Sequence, residues 1–311
     1  MSLSAVDIKL TSLNPTLWAN TMQVPLRKSL VAEAVADTQF EPLLKYGDAV
    51  TQPWLRDAVV QDYTPGAVFT AQGASAAEDT LNVNQFKISP TYVDDINNLQ
   101  AKYAYALDVV DDQAYQLKDT IDSAVFANVR NASTFLYTTT TSQGTIVSGA
   151  VIGTAEDASS IQVHQHDSNV SAINPIDLFA KIRTHLRQRN VAEAGDWVAV
   201  VDPSIAEMIE VVGANKGFSV ADSTLRNGYA GPFMGYKVYI TNNLTAGPTD
   251  SKWAYFGRSK RIALVVQMPP KVHFKDDSYR LGTNIVTSIV FGTKVFTKNA
   301  DRFVGVALST V

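Results

Sequence analysis

The clearest hydrophobic pattern in the chain runs from Asp95 to about Arg130. Apolar residues recur there at intervals of three and four, the spacing that places them on one face of an α-helix. They are Leu99, Tyr103, Ala106, Val110, Ala114, Leu117, Ile121 and Val125. No proline or glycine interrupts the run, and Asp94 and Asp95 suit its N-terminal end. The pattern predicts one uninterrupted helix about 50 Å long, far beyond the average globular helix.

A second patterned region begins at Pro175. Pro175 to Gln188 is amphipathic and predicts a helix, and Asp196 to Asp202 (DWVAVVD) predicts a short buried strand. Pro203 then opens a further helix, because proline suits the first helical position. The apolar residues at helical spacing in that helix are Ile205, Met208, Ile209 and Val212.

The remainder of the chain is dominated by strands. Three glycines, Gly228, Gly231 and Gly235, mark a turn-rich approach to an alternating strand from Tyr236 to Thr241. Five later strands are predicted at Trp253–Phe256, Ile262–Gln267, Lys271–Phe274, Ile285–Phe296 and Phe303–Leu308. Residues 131–172 are rich in Ser, Thr, Gly and Ala and predict loops and short strands. Helices and strands in blocks indicate an α+β fold.

Residues 46–92 predict a long β-hairpin. Tyr46 to Trp54 reads as a turn and a strand that Pro53 interrupts. Further strands are predicted at Ala58–Tyr63, Ala67–Ala71 and Leu81–Ser89, with a small, polar tip at Gln72–Asp79. An isolated hairpin with few large apolar residues is only marginally stable. We therefore expect a neighbouring subunit to hold it.

The first 45 residues predict an extended arm with one short helix. Pro25 starts the helix, and its apolar face comprises Leu26, Leu30, Val31, Ala34 and Val35. An arm of this size cannot bury itself alone. We expect it to lie on a neighbour.

Composition narrows the class of protein. The 311 residues are 46% apolar and 18% charged, so a substantial core can form, and the net charge of −4 argues against a dedicated nucleic-acid binder. The chain has no cysteine, which excludes disulfides, thiolate metal sites and cysteine nucleophiles and suits a reducing cytoplasm. No signal peptide and no membrane-spanning run is recognisable, so we expect a soluble protein without a membrane partner.

Several segments, in the same order along the chain, resemble the major capsid proteins of tailed phages with the HK97-like fold. These segments are GDAV (47–50), VDDINNLQ (93–100), RNVAEAGDWVAVVDP (189–203), NGYAGPFMGYKVYITNNL (227–244) and VFGTKVFTKNADRFVGVAL (290–308). The resemblance covers nearly the whole chain. It implies an N-terminal arm at 1–45, an E-loop hairpin at 46–92, a spine helix of the P-domain at 93–131, an A-domain at 132–258 and P-domain strands at 259–311.

The resemblance also implies a function and partners. Copies would form pentamers and hexamers and close into an icosahedral head around double-stranded DNA, which the shell touches only by weak, non-specific contacts. A portal and, in some relatives, decoration proteins complete such heads. No long charged extension precedes the arm, so a separate scaffolding protein is expected. Some relatives join subunits through an E-loop lysine, but this chain has no lysine between Lys45 and Lys87. No such covalent cross-link is therefore expected.

Nine residues are candidates for contacts between subunits. Burial of the hairpin aromatics in a neighbour could contribute about 1.5–3 kcal/mol each. The candidates are Leu26 and Leu30 of the arm, Trp54, Tyr63, Phe69 and Phe86 of the predicted hairpin, and Asn227, Gly228 and Gly231 of the glycine-rich approach.

Two other functions remain open. An encapsulin-type nanocompartment shell shares the fold but encloses cargo enzymes. A metal-dependent enzyme or surface-binding protein has support only from His164 and His166, which point the same way on a strand, with Asp167 nearby. A polar loop is the commoner explanation of that pair, and the sequence contains no phosphate-binding, nucleophile or zinc-protease motif. No cofactor is predicted.

Charged clusters have ordinary explanations as well. Two groups of acidic residues fall on the long predicted helix and predict a solvated or partner-facing surface rather than a cation site. The first group is Asp108, Asp111 and Asp112, and the second is Asp119 and Asp122. Basic residues at 181–189 and 258–261 are expected to be surface or intersubunit charges, with scaffolding protein or DNA phosphates as the alternative.

Overall fold

The structure of the chain is a computed structural model. It describes residues 27–28, 30–44, 46–55, 58, 60–66, 68, 73, 76–96, 105–131, 135–136, 139–140, 145–146, 151–152, 161–163, 174–191, 196–215, 229–247, 251–276 and 280–310. Within these residues the chain mixes β-sheets with helices, which confirms the α+β class.

The described strands are β1 (Ala36–Asp37), β2 (Ala49–Leu55), β3 (Ala76–Asn82), β4 (Gln85–Asp94), β5 (Phe135–Leu136), β6 (Thr139–Thr140), β7 (Thr145–Ile146), β8 (Val151–Ile152), β9 (Ile161–Val163), β10 (Trp197–Val201), β11 (Tyr229–Phe233), β12 (Tyr236–Ile240), β13 (Lys252–Arg258), β14 (Ile262–Asp276), β15 (Gly282–Lys294) and β16 (Phe303–Thr310). The described α-helices are α1 (Tyr105–Ala127), α2 (Pro175–Gln188), α3 (Pro203–Asn215) and α4 (Thr297–Ala300).

The larger sheet has six strands in the order β11-β12-β10-β13-β16-β9. Its central strand β10 is buried at every position and runs parallel to β12 and antiparallel to β13. Phe179 of α2 packs edge-on against Phe233, Tyr236 and Phe256, at centroid distances of 5.0, 5.5 and 5.0 Å. These aromatic contacts join the helix to three strands of the sheet, and the main hydrophobic core lies there.

The second sheet has four strands in the order β1-β14-β15-β4. Helix α1 packs across β15, and the buried Gln113 side chain joins them. Its Nε2 donates to the Ile285 carbonyl at 3.2 Å, and its Oε1 accepts from the Thr287 hydroxyl at 2.6 Å. The helix therefore covers one face of this sheet, and the polar bonds set its position along β15.

The sequence patterns correctly predicted the two helices that begin with a proline and the strand that lies between them. Helix α2 spans the predicted residues from Pro175 to Gln188, and Asn174 caps it by accepting a hydrogen bond from the Ile176 amide at 2.9 Å. The strand within Asp196–Asp202 and the helix that Pro203 opens are confirmed as β10 and α3. The four predicted apolar residues of α3, Ile205, Met208, Ile209 and Val212, are all buried.

The long helix is confirmed over Tyr105–Ala127. Asp95 and Ile96 are also helical, and the Asp94 carboxylate accepts a hydrogen bond from the Ile96 amide at 2.9 Å, as its predicted place at the helix start requires. Residues 97–104 lie outside the described part of the chain.

The predicted arm helix is wrong for the described residues. Residues 27–28 and 30–31 are not helical, and Ala32–Ala34 form only a short 3₁₀ turn. The amides of Val31 and Ala32 donate instead to the Asp122 carboxylate of α1. Tertiary hydrogen bonds have replaced those that a helix would make, which the apolar periodicity could not indicate.

The predicted hairpin differs from the observed one. Residues 58 and 60–63 are not in a strand. Residues 76–79, which were predicted to lie in the polar tip, belong to β3 and pair with residues 52–55 of β2. The predicted strand Leu81–Ser89 is divided at residues 83–84 between β3 and β4, which belong to different sheets. Strand pairing over long sequence separations decided these boundaries, and local propensity does not contain that information.

Smaller differences concern the later strands. Residues 229–233 form strand β11 rather than a turn, with the turn confined to Met234 and Gly235, whose φ is +82°. The two strands predicted between Ile262 and Phe274 are one strand, β14, with register shifts on either side of Met268. Strand β16 lies in the six-stranded sheet, so the segment 259–311 contributes to both sheets. No helix among the described residues is long and apolar enough to cross a membrane.

Candidate intersubunit surfaces

Strands β2 and β3 form a two-stranded sheet of their own. They pair antiparallel from Ala49 opposite Asn82 to Leu55 opposite Ala76. In β2 only Val50 and Trp54 are even partly buried, and Leu55 at the outer end is 70% exposed. The outer half of the hairpin therefore exposes the face that carries Pro53 and Leu55, whereas Trp54 on the other face contacts Lys298, and the hairpin has no core of its own.

The base of the hairpin is held by its own chain, which corrects the expectation that a neighbour holds all of it. Leu81 and Val83 are buried in a small second core with Phe40, Leu44 and Phe296. This core fixes the inner end of the hairpin to the four-stranded sheet and leaves the outer end free to meet other molecules.

Polar contacts at Asp79 reinforce that base. Its carboxylate accepts a hydrogen bond from the Thr297 amide at 2.9 Å and lies 3.8 Å from the Lys294 ammonium, which also donates to the Thr80 carbonyl at 2.7 Å. Burial raises the pKa of Asp79, but the Thr297 hydrogen bonds and the Lys294 charge together outweigh it and lower the pKa below its usual value. The ionised carboxylate thus ties β3 to the end of β15.

A second exposed apolar surface lies on β4. Phe86, Ile88 and Pro90 share one face of the strand, and Phe86 and Ile88 are 70% and 66% exposed. They lie opposite Val290, Ser288 and Val286, whereas α1 covers the other face through Ile285 and Thr287. Phe86 was expected on the hairpin, and its place in the four-stranded sheet corrects that expectation.

The chain matches known proteins in its fold but not in its sequence. No protein-family model and no curated protein matches the chain by sequence. Solved structures do match. A chain of Mycobacterium phage Che8 has a TM-score of 0.71 and 20% identity, over 95% of this chain and 97% of that one. The capsid of cyanophage P-SCSP1u has a TM-score of 0.63 and 16% identity, over 96% of this chain and 94% of that one. The capsid of a native GTA particle has a TM-score of 0.65 and 10% identity, over 98% of this chain and 99% of that one.

The chain has the HK97-like capsid fold. Because identity is at most 20% in these three matches, the likeness is carried by architecture and not by particular side chains. It extends over almost the full length of both partners, which is the coverage that the sequence resemblance led us to expect.

Within this HK97-like fold the predicted assembly residues are dispersed. Leu30 is 36% exposed beside the arm turn, and Tyr63 is 64% exposed in the connection between β2 and β3. Trp54 is partly buried, with the Lys298 ammonium 4.9 Å from its ring centroid, and Gly231 lies in the edge strand β11. Leu26, Phe69, Asn227 and Gly228 lie outside the described residues.

A junction that sequence reasoning missed joins the arm, α1 and the segment after β12. The Asp122 carboxylate accepts hydrogen bonds from the amides of Val31 at 2.9 Å and Ala32 at 2.6 Å, and from the Asn243 side chain at 2.8 Å. Asn243 also donates to Asp119 at 2.6 Å, and the Lys28 ammonium lies 3.2 Å from Asp119. Asp119 and Asp122 therefore bind other segments of their own chain. They do not belong to a solvated or partner-facing helix surface, which corrects the prediction for these two residues.

The electrostatics of this junction follow from burial. Asp122 is only 1% exposed, and loss of solvation raises its pKa; the hydrogen bonds from Asn243, Ala32 and Val31 oppose the rise, and the nearby Asp119 charge adds to it. A carboxylate at this position of the helix is the only sequence signal that could have indicated the junction, and its partners lie about 90 and 120 residues away.

Arginines from both basic stretches meet at Trp197. The guanidinium carbons of Arg258 and Arg183 lie 5.7 Å and 6.0 Å from the centroid of the indole ring. Arg183 also donates to the Met234 carbonyl at 3.0 Å, closing the turn between β11 and β12. These two cations therefore stabilise the six-stranded sheet from within the chain.

His164 and His166, the support for the alternative of a metal-dependent enzyme, lie outside the described residues. His185 lies on α2 and His273 on β14. Among the residues that the structure describes, no group of three His, Cys, Asp or Glu side chains could hold a metal ion.

Proposed function

We propose that this chain is the major capsid protein of a tailed, double-stranded DNA phage and that its copies assemble into the icosahedral head. The observation that supports this most is the extent of the likeness to chains of phage and GTA particles, two of which are described as capsids. It covers 94% or more of both partners in each of the three matches, so the correspondence is with whole shell subunits and not with one shared motif.

Assembly would work through the surfaces that the single chain leaves open. The outer half of the β2–β3 hairpin and the β4 face around Phe86 and Ile88 carry apolar side chains that water covers in the free subunit. Burial of each such side chain contributes about 1.5–3 kcal/mol, and these terms repeat in every copy of a shell. The role is structural, with no catalytic step.

Division of the chain follows from the same proposal. Residues 1–45 act as the arm and 93–131 as the spine helix. Of the expected E-loop segment 46–92, strands β2 and β3 form the hairpin, because β4 from Gln85 belongs to the four-stranded sheet. The A-domain comprises 132–258, and the P-domain strands come from 259–311, with β16 returning to the six-stranded sheet. Within the shell the hairpin changes its angle as the head expands around incoming DNA.

The partners of such a protein are other copies of itself, a scaffolding protein, a portal and, in decorated heads, a cement protein. A net charge of −4 suits an inner surface that does not hold DNA tightly. The protein would assemble in the bacterial cytoplasm and reside in the virion.

An encapsulin-type shell is the alternative with the same fold, and it is not favoured, because the matches include a cyanophage capsid and a chain of a mycobacterium phage. Nuclease-protected DNA inside purified particles would support the phage head, whereas a co-purifying cargo enzyme would support the compartment.

The first experiment is electron microscopy of the purified protein, expressed with and without the candidate scaffold, together with its mass in solution. Shells of uniform size, or discrete pentamers and hexamers, are the expected result. A monomer under every condition would contradict the proposed function.

A further inference from the structure

A cleft of about 300 Å³ lies where the face of the β2–β3 hairpin that carries Gln52 and Trp54 meets β1 and the segment before β16. Trp54 of β2 and Asp79 of β3 form one wall, and Asp37, Arg261, Lys298 and Arg302 contribute from the rest of the chain. The cleft adjoins the exposed outer hairpin, and neither the main core nor the Asp122 junction includes these residues.

Two buried hydrogen-bond donors line this cleft without acceptors. The indole Nε1 of Trp54 and the Nε of Arg261 are both inaccessible to solvent and have no hydrogen-bond partner. Buried donors in folded proteins are nearly always paired, so these two, together with the charge of the lining, favour a ligand that accepts hydrogen bonds.

The charged side chains that line the cleft indicate the sign of the charge on that ligand. Three cationic side chains line the cleft, against two carboxylates. Asp79 is bonded to the Thr297 amide and Asp37 to the Gln39 amide at 3.1 Å, so both carboxylates already have donors. Burial lowers the pKa of Arg261, and the charge of Arg302 lowers it further, although a guanidinium stays protonated. An anion would relieve this repulsion.

We propose that the cleft binds a carboxylate side chain from a second copy of this chain. A carboxylate matches the net single positive charge of the lining and accepts the forked hydrogen bonds that a guanidinium donates. The carboxylates of Asp37 and Asp79 would repel a doubly charged phosphate more strongly than a singly charged carboxylate. The second copy is the natural source because the cleft wall continues into exposed hairpin surface that a neighbour would cover, as at Leu55.

This inference rests on the proposed self-assembly, and Lys298 provides the test. Particles are assembled from equal amounts of ¹⁴N- and ¹⁵N-labelled protein and treated with a carbodiimide, which joins an amine and a contacting carboxylate with loss of water. We expect cross-linked peptides that combine Lys298 from one isotopic form with an Asp or Glu peptide from the other. They should be absent from unassembled subunits. Lys298→Arg should remove the cross-link, whereas Lys87→Arg, on β4 outside the cleft, should not.

Two further variants test the contribution of the cleft to assembly. Arg302→Gln and Trp54→Phe each remove one element of the site, and we expect unchanged circular dichroism with about a tenfold higher protein concentration required for assembly. This factor corresponds to the loss of a charge-assisted hydrogen bond at about 1.4 kcal/mol. Arg130→Gln, also exposed, is the matched control and should assemble like the unmodified chain.

The outcomes separate the two proposals. Particles that form normally but show Lys298 linked only to Asp37 or Asp79 of the same copy, or not linked at all, would overturn the cleft inference and leave the capsid function standing. Binding of inorganic phosphate to free subunits, with normal assembly of both variants, would also overturn it by identifying a free-anion site. Failure to form any particle would contradict the proposed function and this inference with it.

Discussion

The side chains of Asp122 and Asn243 are joined by a hydrogen bond of 2.8 Å, although 121 residues separate them in the chain. The same carboxylate accepts from the amides of Val31 and Ala32, so one buried side chain of the long helix fastens both the arm and the segment after β12. This junction makes the arm turn part of the folded subunit, where the sequence predicted a short helix lying on a neighbouring subunit; Val31, Ala32 and Val35 are instead buried in the core of their own chain.

Replacement of Asp122 by alanine should therefore destabilise the free subunit. The amides of Val31 and Ala32 lose their acceptor in a buried setting, and Asn243 loses one of its two. We expect a decrease of about 2–4 kcal/mol in the free energy of unfolding, measured by urea denaturation. Asp111→Ala, on the exposed face of the same helix, is the matched control and should change stability by less than about 0.5 kcal/mol. Equal effects of the two replacements would contradict the assigned role of Asp122.

Stability should depend on pH through Asp79. Because its pKa is lower in the folded than in the unfolded chain, the unfolded chain takes up the proton first as pH falls. The stabilisation is fully present above the ordinary aspartate pKa of about 3.9 and is lost as pH falls through the lower folded value. The difference in unfolding free energy between the unmodified chain and Asp79→Asn should be constant at neutral pH and shrink below about pH 4. A difference that stays constant down to about pH 2 would contradict this.

Asp122 should show the opposite dependence. Its pKa is raised by burial, so the folded chain holds the proton more tightly, and the contribution of this carboxyl to stability decreases as pH rises from about 3.9 through the raised value. Carboxyl-carbon NMR of selectively labelled subunits should place the Asp122 midpoint above, and the Asp79 midpoint below, the ordinary value. The reverse order would refute the assignment.

Gly292→Ala should weaken the attachment of the hairpin. A Cβ atom at this position of β15 would lie 2.4 Å from the Asn82 carbonyl oxygen, so β3 must shift away from the sheet. We expect a loss of about 1–3 kcal/mol in subunit stability, measured by thermal or urea unfolding. Gly73→Ala, where a Cβ would meet nothing within 4 Å and φ lies outside the left-handed region, should be neutral and is the control.

Phe86→Ser should separate assembly from folding. The side chain is 70% exposed in the single chain, so the replacement should leave subunit stability within about 0.5 kcal/mol. If a neighbour buries Phe86, the protein concentration needed for shell formation should rise about tenfold or more, as static light scattering would measure. Assembly at the unmodified concentration would remove β4 from the proposed contacts. Thr51→Ser, a mild change on the exposed hairpin strand, serves as the control.

Elements with local start signals were predictable from sequence. Helix α2 has Asn174 as its cap and Pro175 at its first position, and helix α3 begins at Pro203 after a fully buried strand. In these cases the backbone hydrogen bonds form between residues close in sequence, so composition and period suffice.

Elements that depend on distant partners were not predictable in the same way. The strand from Ala76 pairs with the strand that ends at Leu55, and the proposed tip at 72–79 was placed by its small, polar composition alone. Phe86 joins β15, about 200 residues further along, and not the hairpin. Strand partners are chosen by packing on both faces of a sheet, and a single segment does not encode them.

By itself, the sequence determined that this protein is an α+β chain without cysteine chemistry, with a long helix, a buried strand between two helices and a segment order that resembles the HK97-like fold. These features rest on local periodicity, capping and composition. Only the tertiary structure decided that Asp122 fastens the arm, that Phe86 lies on an open sheet face and that Trp54 and Arg261 share a cleft. Each of these relationships joins residues far apart in the chain, and it is the packing of the whole fold that brings them within hydrogen-bond distance or into contact with the same space.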